Sequence, residues 1–258
     1  MRIFLAGASG IIGRRLIPLL CSAGHQVTGT ARSVEKAAVV RSLGATPVIV
    51  DALEPSSLDA LVVAARPECV IHQLTSLPDE IGSGLSAAMA ADNARIRRDG
   101  TRNLVAAALH AGARRFVAQS VAWLYADGPL PHGEGDPLDL ASEGTRALTA
   151  RGVSELERLV MSTPSLEGVV LRFGYLYGPE TWFTQPKGEV SLHIDAAVAA
   201  SAQAVTRGAV GAYNIVDDGG TATNAKARAE LGWEPTLRGE GASYGTTIRA
   251  TPPENIDA

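Results

Sequence analysis

The feature that most limits this chain lies at its start. An apolar run over residues 2–6 ends in Gly7-Ala8-Ser9-Gly10-Ile11-Ile12-Gly13, and a helical pattern begins at once. A strand that turns directly into a helix around a ligand needs residues without Cβ atoms at three points: the tight turn, the closest approach of the ligand, and the contact of helix with strand. Gly7 meets the first need, Gly10 the second and Gly13 the third. The helix then offers unpaired N–H groups, which suit a pyrophosphate. The expected cofactor contacts here are Gly7, Ser9, Gly10, Ile11, Ile12 and Gly13.

The rest of the chain repeats that theme. Short apolar, β-branched runs predict strands near 2–6, 26–31, 46–50, 69–74, 115–120, 168–173 and 211–216. Amphipathic, alanine-rich stretches between them predict helices over 11–23, 34–43, 56–65, 85–111, 144–162, 194–206 and 222–231. Alternation of this kind implies an α/β fold, a Rossmann-like doubly wound parallel sheet with right-handed crossovers. No linker divides it, so one domain is expected over 1–258. Segments 126–143 and 178–192 are irregular and follow strand ends, where ligands sit in open parallel sheets, and they are expected to wall a pocket. The tail from 236 has no periodicity and is expected to be loosely held.

Composition narrows the partners. With 23 basic and 27 acidic side chains, a formal charge of −4, and basic residues scattered singly or in pairs, the chain carries no footprint for nucleic acid or an anionic membrane. A small-molecule partner is expected. Cys21 and Cys69 read as small buried hydrophobes in a reducing cytoplasm, and no metal cluster is expected. The start lacks the layout of a leader peptide, and no apolar run approaches the ~20 residues of a membrane span.

The residue that selects a dinucleotide's ribose comes about twenty positions after the glycines. Arg32 stands there, and no Asp or Glu occurs from Ile11 to Val34. An acid would hold a 2′-hydroxyl, whereas Arg32, with Ser33 and Arg14, suits a 2′-phosphate, so NADP(H) is expected ahead of NAD(H). The alternative is a solvated arginine at a helix start. Asp51, followed by Ala52, is placed to accept from an adenine amino group; capping the helix near 56 is the competing role, for which Ser56 and Ser57 sit closer. Leu74 and Thr75 are expected to pass under the cofactor with backbone contacts, and His72 suits a satisfied core histidine as well as a functional one.

The segments GASGIIG, VIHQLTSLP, DGTRNLVAAALHAGARRFVAQS, VVLRFGYLYGP, YNIVDD and NAKARAELGWEP resemble, in order over most of residues 1–235, the extended short-chain dehydrogenase/reductases of the NAD(P)-dependent epimerase/dehydratase family. That resemblance implies a Ser or Thr, a Tyr and a Lys four residues after the Tyr, which together move a proton as hydride is exchanged with nicotinamide. This chain departs from the pattern. Val121 stands at the family's serine position, Thr149 and Val153 at those of Tyr and Lys, and Arg97 where an asparagine precedes Gly100-Thr101. No Tyr-x-x-x-Lys occurs anywhere.

Ser120 and Tyr125 are the hydroxyls expected to polarise a substrate in their place, with Tyr175 and Tyr177 as further candidates; a strand-end hydrogen bond and half-buried packing account for them equally well. The substrate region, about 174–258, looks reduced. Glu180 to Gly211 fills one of the family's lobe positions and Asp217 to Thr223 the other, too little to enclose a nucleotide-sugar. His193 and Asp195 resemble the segment that returns the chain to the sheet. These features imply an NADP(H)-dependent oxidoreductase acting on a carbonyl or secondary alcohol. A cofactor-bound epimerase, dehydratase or lyase using His72, Glu134 or Asp136 as base is the alternative, and a non-catalytic dinucleotide sensor is another. Family members also pair through the helices equivalent to 85–111 and 144–162, so a homodimer is expected, although the alanines there suit packing on the chain's own sheet equally well.

Overall fold

The computed structural model describes residues 1–77 and 86–238. Seven parallel strands form one sheet: β1 (Arg2–Ala6), β2 (Gln26–Ala31), β3 (Thr46–Ile49), β4 (Cys69–His72), β5 (Arg115–Val121), β6 (Glu167–Phe173) and β9 (Gly211–Ile215), in the order β3-β2-β1-β4-β5-β6-β9. The chain runs outward from β1 to β3, then returns to the other side of β1 with β4. The sheet is therefore doubly wound, with its switch point between β1 and β4.

Alternation along the strands divides the core. Ile3, Leu5, Ile71, Val117, Val169 and Leu171 face α1 (Ile11–Ser22) and α7 (Ile194–Gln203). Phe4, Ala6, Val70, Phe116, Ala118 and Val170 face the opposite layer, built from α3 (Pro55–Ala65), α5 (Thr101–His110) and α6 (Gly144–Ser162). Because β-strand side chains have a period of two, a strand buried on both faces must be apolar almost throughout, as these are. α2 (Val34–Ser42) starts where Ser33 Oγ accepts from the Lys36 N–H, and α4 (Ala87–Arg95) where Ser86 Oγ accepts from the Met89 N–H. Trp233, fully buried, donates from Nε1 to the Ala196 carbonyl at 2.8 Å and fastens the C-terminal segment to α7.

The structure differs from the sequence expectations in three elements. The helix expected over 85–111 is α4, a π-turn at Ile96–Gly100 and α5 in succession. The helix expected over 222–231 is largely a π-turn at Ala227–Leu231. A short parallel ribbon, β7 (Tyr175–Tyr177) against β8 (Ser191–His193), frames the segment expected to be loop at 178–192. On the paired-helix surface, Ala90, Ala107 and Ala108 are buried in the chain's own interior, whereas Ala87, Ala88, Ala91 and Ala106 are exposed. The tail expected to be loose lies, from residue 239, outside the described residues. Among the described residues, no helix is long and apolar enough to cross a membrane.

Candidate active site

The carboxyl ends of the strands meet at the switch point, and the glycine loop lies there. Gly7 has φ +88°, and a Cβ on it would lie 2.7 Å from the Gln73 carbonyl at the end of β4. A Cβ on Gly13 would lie 2.3 Å from the Gly7 carbonyl oxygen. Both positions are sealed by backbone, so only glycine fits. The Gly7 N–H donates to Thr30 Oγ1 at 3.0 Å, and the Gly10 N–H to the Gly7 carbonyl, which sets the turn. The first backbone bond inside α1 runs from the Arg14 N–H to the Gly10 carbonyl. The N–H groups of Ile11, Ile12 and Gly13 thus remain without helical acceptors, an anion site of the kind that holds a pyrophosphate. Ile12 sends its side chain into the core, so its share of such a site is the main chain. Ser9 is half-buried at the rim of the loop.

The other expected contacts follow the carboxyl ends of β2, β3 and β4, strands of the same sheet. Arg32 follows β2 and is exposed, with no ion pair among the described residues, whereas Ser33 is engaged as the cap of α2. Asp51 is exposed and accepts from the Leu53 N–H through Oδ1 at 2.9 Å; helix α3 begins at Pro55, so Asp51 shapes the turn before it. The Ala52 carbonyl accepts from Asn103 at 2.9 Å. Leu74 and Thr75 lie half-buried just past β4. The remaining basic group, Arg14, is drawn toward Glu180 at 3.6 Å, and Arg15 pairs with the same carboxylate at 2.9 Å, tying the loop after β7 to the first turns of α1.

His72 is a core histidine. Its Nδ1 accepts from the Leu74 N–H at 3.1 Å and its Nε2 meets Thr101 Oγ1 at 2.9 Å, so the ring is neutral with both nitrogens in use. Burial, reinforced by the nearby Arg97 charge, pushes its pKa down to about 3. Glu134 accepts from the Asn214 N–H, and Asp136 holds His132 and the Gly133 N–H. All three base candidates are thus engaged in structural bonds.

Ser120 and Tyr125 belong to a buried polar network instead of lining an open cleft. Ser120 is fully buried and donates to Glu157 Oε1 at 2.7 Å. Glu157 in turn accepts from Arg172 Nε at 2.9 Å and Arg172 Nη2 at 2.7 Å, a bidentate pair with both partners buried. Arg172 also donates to the Tyr125 hydroxyl at 2.8 Å, and that hydroxyl donates to Asn214 Oδ1 at 2.6 Å. Burial raises the Tyr125 pKa, with Arg172 opposing. One turn before Glu157, Val153 packs with Val121, Leu124 and Ala150, and Thr149 bonds back to the Thr145 carbonyl at 3.1 Å. No proton relay stands at these helix positions.

Tyr175 stacks on Trp123 with ring centroids 5.3 Å apart, beyond the ends of β5 and β6. Tyr177 packs edge-on against His193, and its hydroxyl bonds to Asp217, whose carboxyl is pushed up by burial. His193 caps α7 by accepting from the Asp195 N–H, a structural role. Sequence reasoning missed Glu157, Asn214 and the buried use of Arg172. Charges inside apolar patterns, as in SELERLV and VVLRFGY, were the available signal, because a buried charge requires a partner.

The family model for the NAD dependent epimerase/dehydratase family matches residues 3–219. The chain belongs to that family. It is also 37% identical, over 100% of its own length and 85% of the other's, to a 3-diazoavenalumate denitrifying reductase from a Streptomyces species. It is 28% identical, over 70% of its length and 52% of the other's, to a 4-hydroxy-2-methyl-3-oxo-4-farnesyl-3,4-dihydroquinoline-1-oxide ketoreductase from Stigmatella aurantiaca. Among solved structures it is similar to the UDP-glucose 4-epimerase of Thermotoga maritima, with a TM-score of 0.74, 18% identity, and 92% of this chain and 94% of that one covered. At that identity the likeness concerns the fold.

Proposed function

We propose that the protein is an NADP(H)-dependent reductase of small molecules whose acceptor needs no proton from a tyrosine. The observation that carries this reading is a complete dinucleotide loop beside helix positions that hold Thr149 and Val153. Gly7 and Gly13 allow the tight turn and the close helix contact, Gly10 would leave room for a pyrophosphate, and the N–H groups of Ile11, Ile12 and Gly13 would hold it. Ser9 would join them, Asp51 and Ala52 would bound the adenine end, and Leu74 and Thr75 would lie beneath the nicotinamide half. Arg32 would hold the 2′-phosphate. When bound, the reduced dinucleotide supplies hydride.

Reducing a carbonyl leaves an oxyanion that must be protonated, and a Tyr-Lys pair serves that step. Ser120 and Tyr125 are both spent on the Glu157-Arg172 network, which favours a positioning role for them. An aryl diazonium needs no such acid. It gains one hydride at the ring carbon, the carbon–nitrogen bond breaks, and dinitrogen leaves as a neutral molecule, so charge balances without a proton. The name of the Streptomyces relative supports this class of acceptor. A carbonyl acceptor is the second reading, favoured by the ketoreductase relative.

The test is a reduction assay with deuteride-labelled NADPH, an arenediazonium salt and a ketone panel, each against a protein-free blank. Deuterium on the ring carbon with release of dinitrogen is expected. Oxidation of NADPH by the ketones alone would replace the diazonium reading with the carbonyl one, and tight NADPH binding without turnover on either would leave a sensor. The pairing of two chains through the exposed sides of α4, α5 and α6 is proposed alongside, and light scattering at a dimer's mass would support it.

A further inference from the structure

Arg97 lies in the π-turn between α4 and α5, is 4% exposed, and has a sealed Nη1 with no hydrogen-bond partner. A buried guanidinium ordinarily has its donors satisfied and its charge matched. Among the described residues, Glu157 is the one carboxylate in its electrostatic surroundings, and both oxygens of Glu157 are taken by Ser120 and Arg172. The neighbouring titratable group on the β4 side, His72, is neutral. Among the described residues, this interior therefore holds two arginine charges against one carboxylate, and Arg97 has no hydrogen-bonded ion-pair partner there.

Two further observations agree. A π-turn inside a helix is an uncommon geometry that recurs at functional sites, and this one carries Arg97 itself. The guanidinium also retains its charge at neutral pH, since burial brings its pKa down only to about 10. A phosphate is a poor match, because it brings about two negative charges where one is missing. A carboxylate matches the planar fork, accepts two parallel hydrogen bonds and supplies the missing unit of charge.

We propose that Arg97 is an anion-binding residue that receives a carboxylate of the small-molecule substrate. As a statement about substrate this rests on the reductase reading; as a statement about anion binding it is tested without turnover. The cofactor's phosphates belong at the glycine loop, so the carboxylate is one that the acceptor carries.

The experiment compares wild type with Arg97→Met, which keeps the length of the side chain and removes its charge. Benzoate and its neutral counterpart benzamide are titrated calorimetrically with NADPH absent and then saturating, and melting temperatures are recorded with and without each. Wild type is expected to bind benzoate at least tenfold more tightly than benzamide and to melt higher in its presence. Arg97→Met is expected to lose the benzoate response and to melt above wild type when no anion is added, because an uncompensated buried charge has gone. A merely structural arginine would move that melting temperature the other way. Arg97→Gln, which keeps polarity without charge, serves if the methionine variant does not fold, and an NADPH titration checks the glycine loop in each variant.

Equal binding of benzoate and benzamide, benzoate binding that survives loss of the arginine, or no binding of either compound overturns the proposal. Stabilisation of wild type by chloride or inorganic phosphate equal to that by benzoate would reduce the site to a nonspecific one and also overturn it. Benzoate binding that depends on Arg97, in a protein for which neither the arenediazonium nor any ketone supports NADPH oxidation, would instead refute the reductase reading alone.

Discussion

Replacing Glu157 by glutamine tests whether the network behind the cleft is structural. The glutamate is 3% exposed and Arg172 is 5% exposed, so neither charge is relieved by water. Glu157 accepts bonds of 2.7 Å from Ser120 and of 2.9 and 2.7 Å from Arg172. The glutamine amide can keep one acceptor, turns an NH2 group toward a donor, and leaves Arg172 without a counter-charge. Breaking a buried pair from one side costs about 3–5 kcal/mol, a large part of the ~5–15 kcal/mol that holds a typical domain together. Ser120→Ala removes one bond to a charged acceptor and should cost less, about 1.5–3 kcal/mol. Urea unfolding followed by tryptophan fluorescence reads both, with NADPH affinity measured on the folded proteins and expected to stay near wild type. A glutamine variant no less stable than Ser120→Ala would refute this account. So would a Ser120→Ala protein of full stability that has lost turnover, since the hydroxyl would then be working in the cleft.

Other outcomes follow from single contacts. Gly13→Ala places a Cβ 2.3 Å from a backbone oxygen, and pushing α1 off the loop should cost about 1–3 kcal/mol or more and abolish NADPH binding, read by fluorescence titration. Arg32→Glu should weaken NADPH by about 1–3 kcal/mol while leaving NADH little changed; equal losses for both would remove Arg32 as the selector. The buried His72, with a pKa near 3 against 6.5 when free, resists protonation in the native state. Below pH 6.5 the unfolded chain binds a proton that the folded chain does not, so stability present at neutral pH declines between pH 6.5 and 3, by at most about 1.4 kcal/mol per pH unit. His72→Gln should flatten that decline in acid unfolding curves.

The fold was legible because burial on both faces forces apolar strands, and the seven predicted strands each coincide with an observed one to within two residues. The glycine loop was legible because backbone sterics leave no other residue for Gly7 and Gly13. The small β7–β8 ribbon was not, since three-residue strands give no periodicity to read. Ser120 was placed near the cleft by its position at a strand end, yet the two-residue period puts it on the same face as Phe116 and Ala118, toward α6. Tyr125 lay too far beyond the strand for periodicity to orient it, and its partner Asn214 is distant in sequence. Pairings of that range are set by tertiary packing and leave no local trace.

The π-turn has one more consequence. A turn closed by i→i+5 bonds takes up one residue more than an α-helical turn, so it resets the helical phase between α4 and α5. Before it the buried side faces α6, where a Cβ on Gly152 would lie 2.8 Å from Ala94; after it Leu104 and Ala108 face the sheet. Loss of a single residue between Asn93 and Thr101 would restore the phase and carry Arg97 away from its present surroundings. The spacing of those two residues is thus a mark that can be read in any related chain from its sequence alone: relatives that keep the count can bury an arginine here, and relatives one residue shorter cannot place it in the same way.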